Sequence, residues 1–190
     1  FDFCRNIDKS EGHDITDYQI ILNKDCVTDE QLIVPAGKAY TLNLNGKVLS
    51  STGAGYQSVL LVENGGSLVI NDTTGGRITT GSAAQYAAVI LTSKDSYDET
   101  KTASLTVNAG TLVGRYYAIV GNGNRHNTNI TINGGTLTAT EVNDNTAIYH
   151  PQNGTLTVNG GTITGATGIY MKSGILSITG GTITGNGTAV

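Results

Sequence analysis

Residues 129–139 read NITINGGTLTA and residues 155–165 read TLTVNGGTITG. In each, apolar and polar residues alternate with period two, the pattern of a strand with one buried face. Asn-Gly-Gly interrupts the run, and a second alternating run follows it. Working outward, the first run recurs as TLNLNG (41–46), SLVIND (67–72), SLTVNAG (104–110) and ILSITGG (175–181). Two inward columns are expected from it: Leu42, Leu68, Leu105, Ile130, Leu156, Leu176, and Leu44, Ile70, Val107, Ile132, Val158, Ile178. The next position carries Asn45, Asn71, Asn108, Asn133, Asn159 and finally Thr179.

A second strand follows each first one after a glycine-rich corner, with Val48, Ile78, Leu112, Leu137, Ile163 and Ile183 expected inward. Its outward flanks become threonine pairs, Thr136 and Thr138, Thr162 and Thr164, Thr182 and Thr184. A third strand is expected to bury Val59, Val89, Ile119, Ile148, Ile169 and Val190. It is preceded by the small residues Ser58, Ala88, Ala118, Ala147, Gly168 and Ala189, which suit a tight bend. Three short strands per turn of roughly 20–37 residues describe a solenoid. The expected fold is all-β: a single-stranded right-handed parallel β-helix of about six three-strand coils. Coils stack at about 4.8 Å, which makes the asparagines an internal ladder of side-chain amides bonded coil to coil. The glycine that often follows the asparagine supplies the positive φ of the corner.

LNLNGKVL (42–49) and the repeats NGGTLTA (133–139) and NGGTITG (159–165) resemble the pectin-lyase-like right-handed β-helix superfamily. More narrowly, they resemble Gly/Thr/Asn-rich solenoids of bacterial surface proteins and of phage fibre or capsid-decoration proteins. The likeness covers about residues 30–190. That superfamily holds lyases, hydrolases, adhesins and virion spikes, so it implies a fold and leaves the function to the site.

Composition narrows the classes. Gly numbers 26 and Pro only 2 in 190 residues, so neither collagen nor a Pro-rich linker fits. A net charge of −4, from 11 basic and 15 acidic residues, argues against nucleic acid as partner. No run of 18 apolar residues exists, so membrane insertion as a helix is not expected. The two cysteines match no zinc spacing and no His stands at ligand distance from them, so no metal or other cofactor is expected.

Residues 1–30 carry more charge than the rest and are expected to be an N-terminal cap on residues 31–190, since an open solenoid end exposes strand edges and core. Cys4 and Cys26 are either two buried thiols or a disulfide stapling the cap, which would imply an oxidising compartment. The opening Phe-Asp-Phe-Cys, without an initiator Met or a signal-like segment, reads as a mature or trimmed start. NGTAV (186–190) aligns with the start of a further coil, so either more chain follows or a partner covers that end.

Beside the third inward column lie Leu60, Ile90, Val120, Tyr149 and Tyr170. Alternation points them outward, as ordinary β-surface or as a seam for self-association into a trimer. Tyr56, Tyr86 and Tyr116 share a register and are expected to stack along a corner. The loops after the third strand bring Asp95, Asp98 and Glu99, then Arg125 and His126, then His150 to one edge. This edge is either solvated loop with surface ion pairs or the place a ligand binds. The resemblance implies that lyases of this fold use clustered acids for calcium with an Arg or Lys base, and hydrolases use paired carboxylates. No such constellation stands out, and no catalytic residue is assigned. The expected role is therefore a non-catalytic structural or adhesive module outside the cell, on a cell surface or on a virion. It would act as a rigid projecting spacer and binding surface, self-associating as a trimer or head-to-tail, or meeting other virion or surface proteins or a cell-surface glycan. A polysaccharide lyase or glycoside hydrolase is the alternative, and ice binding through the Thr-x-Thr arrays a further one.

Overall fold

A computed structural model describes residues 17–53, 57–81, 86–93, 98–123, 127–141 and 144–190. The first coil is β1 (Asp17–Ile21), β2 (Cys26–Thr28) and β3 (Leu32–Val34); the second is β4 (Ala39–Asn43), β5 (Val48–Ser51) and β6 (Leu60–Val62). β7 (Ser67–Asn71), β8 (Arg77–Thr80) and β9 (Ala87–Leu91) follow, then β10 (Thr102–Val107), β11 (Thr111–Gly114) and β12 (Tyr117–Gly121). β13 (Asn127–Ile132), β14 (Thr136–Ala139) and β15 (Thr146–His150) form the next coil. After β16 (Asn153–Val158), one long strand, β17 (Thr162–Met171), supplies both second and third positions. β18 (Ile175–Ile178) and β19 (Thr182–Thr188) complete the series, and no helix occurs among the described residues.

Every pairing is parallel and joins one coil to the next. The first strands of all coils form a seven-stranded sheet, β1-β4-β7-β10-β13-β16-β18. The second and third strands form two further stacks, fused into one twelve-stranded sheet because β17 runs through the corner between them. The molecule is thus an all-β parallel solenoid.

The core is a set of apolar columns. Leu68, Leu105, Ile130, Leu156 and Leu176 stack in register, as do Ile70, Val107, Ile132, Val158 and Ile178. The early coils join two residues away from the expected alignment: Leu42 lies over Ile70 and Tyr40 over Leu68. In the second stack Leu49, not Val48, pairs with Ile78 and is fully buried. The third inward column is Leu32, Leu60, Val89, Ile119, Ile148 and Ile169. Leu60 therefore belongs to the core, contrary to the outward place expected for it. The cause is local. At the second-to-third corner two consecutive residues turn inward, as the fully buried Ala118 and Ile119 do, so counting by alternation fails there. The corner is tight enough that a Cβ on Gly114 would lie 1.5 Å from the Tyr117 carbonyl oxygen.

The earliest described strands join the stack. β1 pairs with β4 and β2 with β5, which places Ile20 over Leu42 and Cys26 over Leu49. Residues from Asp17 on therefore pair strand by strand with the next coil. Residues 1–16 lie outside the described residues.

Candidate functional site

The corner between each third strand and the next first strand was the expected ligand edge. Asp95, Arg125 and His126 lie outside the described residues. Asp98, half-buried, and Glu99, exposed, lie just before β10. Asp98 accepts from the Thr100 hydroxyl at 2.6 Å and the Thr100 amide at 3.0 Å, and its other oxygen lies 3.4 Å from Lys101 Nζ. The Thr100 bonds, with Lys101 behind them, hold its carboxyl below the ordinary aspartate value. The Glu99 carbonyl accepts from Asn127 Nδ2 at 2.8 Å, tying this turn to the next coil. Both residues therefore have local structural partners.

His150 does not join them at the surface. It ends β15 on the inner side of the corner and is fully buried. Its Nδ1 lies 3.1 Å from the Ser173 carbonyl, which can only accept, so Nδ1 carries the proton. Nε2, 2.9 Å from the Thr128 hydroxyl, is then the acceptor. Burial holds the imidazole pKa below its ordinary value, against the opposing effect of these bonds. A neutral ring with both nitrogens engaged has no free position for a ligand or a travelling proton.

Around His150 lies a buried polar seam that sequence reasoning missed. Gln152, also fully buried, reaches across two coils to donate from Nε2 to the Leu91 carbonyl at 2.9 Å. Its Oε1 has no protein partner among the described residues and occupies the space a Cβ would take at Gly121, 1.7 Å away. Asn64, in the same kind of corner after β6, donates to the Lys101 carbonyl at 2.7 Å in the corner one coil on, before β10. The only sequence signal for this seam was polar residues directly after third strands, a position that reads equally well as exposed loop.

Outside the third stack, the column running beside the core is Ile33, Leu61, Ile90, Val120, Tyr149 and Tyr170. Leu61 holds the place expected for Leu60. Leu61 and Val120 are only 4% and 1% exposed, so much of this column is already covered, whereas Tyr170 is 52% exposed. Four tyrosines form a continuous ring contact along the axis: Tyr86 to Tyr117 at 5.0 Å, Tyr117 to Tyr149 at 5.9 Å and Tyr149 to Tyr170 at 5.4 Å between centroids. Tyr117 was not singled out from the sequence, yet it joins Tyr86 to the later rings. Burial raises its phenol pKa, with Tyr86 adding to the effect. Tyr116 lies 6.2 Å from Tyr86, and the Arg115 guanidinium sits 5.2 Å above its ring while bonding Glu141 at 2.6 Å. Tyr56 lies outside the described residues.

The asparagine column is a bonded ladder. Asn108 donates to Asn71 at 2.8 Å, Asn133 to Asn108 at 2.8 Å and Asn159 to Asn133 at 2.9 Å; Thr179 donates its hydroxyl to Asn159 at 2.8 Å. It runs along the outside of the corner and not inside it, because the position after an inward residue faces out. Asn45 is not a rung. It sits in a left-handed turn with φ 50° and donates to the Leu22 carbonyl, while Asn43 occupies the register position beside Asn71. The corner glycine Gly135, at φ 87°, lets the chain turn where a Cβ would approach the Gly110 carbonyl to 2.5 Å.

The Cys26 thiol is buried and free, 3.5 Å from the Lys24 carbonyl; Cys4 lies outside the described residues. Among the described residues no three His, Cys, Asp or Glu side chains converge as metal ligands. Comparison with protein-family models, with curated proteins and with solved structures matches nothing to this chain.

Proposed function

We propose that this chain is a non-catalytic structural and adhesive module of a cell or virion surface, comparable in role to phage fibre or decoration solenoids and bacterial adhesin repeats. In lineage we place it with the pectin-lyase-like β-helices. The observation that carries this reading is the continuous registration of coils, from core columns through the asparagine ladder to the tyrosine rings. Seven stacked first strands at about 4.8 Å make a stiff segment roughly 30 Å long. Backbone pairing and side-chain ladders along one axis resist local opening, which suits a spacer exposed to proteases and shear. The neutral, internally bonded His150 favours this role over acid–base chemistry at the loop edge. Partners on this reading are further copies, other virion or surface proteins, or a cell-surface glycan, and the setting is extracellular.

The test is an incubation with pectic and host-type glycans, followed by detection of new reducing ends and unsaturated uronates. No product is expected. Sustained product formation that is lost in Asp98→Asn would overturn the structural role in favour of a polysaccharide-cleaving enzyme.

A further inference from the structure

Nine tyrosines are spread along the chain, and the fold gathers Tyr86, Tyr117, Tyr149 and Tyr170 into one series of ring contacts. Two tyrosine pairs stand directly opposite each other across parallel strands: Tyr18 with Tyr40, and Tyr149 with Tyr170. Their geometries differ. The Tyr18 and Tyr40 rings meet edge to face at 73° and pack against the core. The Tyr149 and Tyr170 rings lie side by side on the outer face, 5.4 Å apart between centroids and 36° from parallel. Both reach solvent, and neither phenol hydroxyl has a protein hydrogen-bond partner among the described residues. β15 and β17 both lie within the stack, since β17 pairs onward with β19, so the contact is internal to the chain.

We propose that Tyr149 and Tyr170 are an oxidative cross-linking site, at which a haem peroxidase fed with hydrogen peroxide joins the two rings as dityrosine. Each phenol loses one electron to the oxidant and its hydroxyl proton to water. The unpaired electron of each phenoxyl is shared between the oxygen and ring carbons that include Cε1 and Cε2. A bond forms between a Cε of Tyr149 and a Cε of Tyr170. Each of those carbons then releases its hydrogen as a proton while each oxygen takes one back, which restores two aromatic phenols. In sum, two phenols and one peroxide give one dityrosine and two waters. Side-by-side rings present Cε edge to Cε edge, whereas edge-to-face rings present an edge to a π face. Backbone registration holds the two partners together, which favours coupling within the chain over coupling between chains. Tyr86 and Tyr117 extend the site, because an electron lost from either ring is replaced from the next ring in contact. The product is a covalent rung between β15 and β17. This inference does not depend on the function proposed above.

The test treats the full chain with a haem peroxidase and hydrogen peroxide, then digests it with trypsin. Peptide 126–172 holds Tyr149 and Tyr170 and no other tyrosine. The expected product is that peptide two hydrogens lighter, with dityrosine fluorescence, from a protein that sediments as it did before oxidation. The yield should fall at least tenfold in Tyr149→Phe and in Tyr170→Phe, which keep the rings, and stay unchanged in Tyr18→Phe. An unaltered peptide 126–172 after oxidation would overturn the proposal. So would a link from peptide 116–125 to peptide 126–172 in its place, which would make a ring of the preceding coil the partner, or dityrosine found only between two chains.

Discussion

Asn133 Nδ2 donates to Asn108 Oδ1 at 2.8 Å, one coil away, and its own Oδ1 accepts from Asn159. One side chain thereby couples three successive coils.

Asn133→Ala removes both bonds. The rungs are exposed, so water replaces part of what is lost, and the cost is expected to be about 1 kcal/mol. Urea unfolding checks this: the midpoint falls while the slope stays constant. An unchanged midpoint means that the ladder follows the fold without supporting it.

His150 predicts an acid-sensitive core. Its folded-state pKa lies below the unfolded value of about 6.5, so the unfolded chain takes up the proton first. The contribution is complete above that pH and declines as pH falls from there towards the folded-state pKa. Stability measured from pH 8 to 5 should drop, with a shallower drop in His150→Gln. Equal slopes in both proteins would remove His150 as the cause.

Asp72 acts in the same direction at lower pH. Burial tends to raise its pKa, but the amides of Gly46, Gly76, Gly75 and Thr74 outweigh that and lower it. The bonds to Gly46, Gly75 and Gly76 are 2.7–2.8 Å and knit the β4–β5 corner to the β7–β8 corner. The stabilisation is present above the unfolded aspartate pKa of about 3.9 and is lost as pH falls through the folded value. Asp72→Asn at pH 7 is expected to lose roughly 1–2 kcal/mol in thermal or urea unfolding.

Gly121 and Gln152 should be coupled. Gly121→Ala places a Cβ against Gln152 Oε1 inside the solenoid and is expected to cost about 1–3 kcal/mol. Adding Gln152→Ala removes the clash. The double variant should be more stable than the sum of the single changes by at least about 1 kcal/mol, read from a double-mutant cycle. Additive losses would mean that the two side chains do not share that space.

From its sequence alone this chain determines that it builds short strands, that Gly-rich corners separate them and that equivalent residues recur coil by coil. A period-two pattern such as NITINGG (129–135) marks which face is buried without help from distant residues. That parity also absorbs the two-residue difference at Leu42, because a slip of two returns each side chain to the same face. Only the tertiary structure decided what the parity cannot carry. Leu60 turned inward because the corner before it buries two consecutive residues, which reverses the count. That residues from Asp17 on pair with β4 is a contact between segments rather than a property of either. His150 and Gln152 went inside because acceptors one and two coils away, on Ser173 and Leu91, were there to satisfy them. A polar residue after a strand has no side of its own; the coils above and below assign it one.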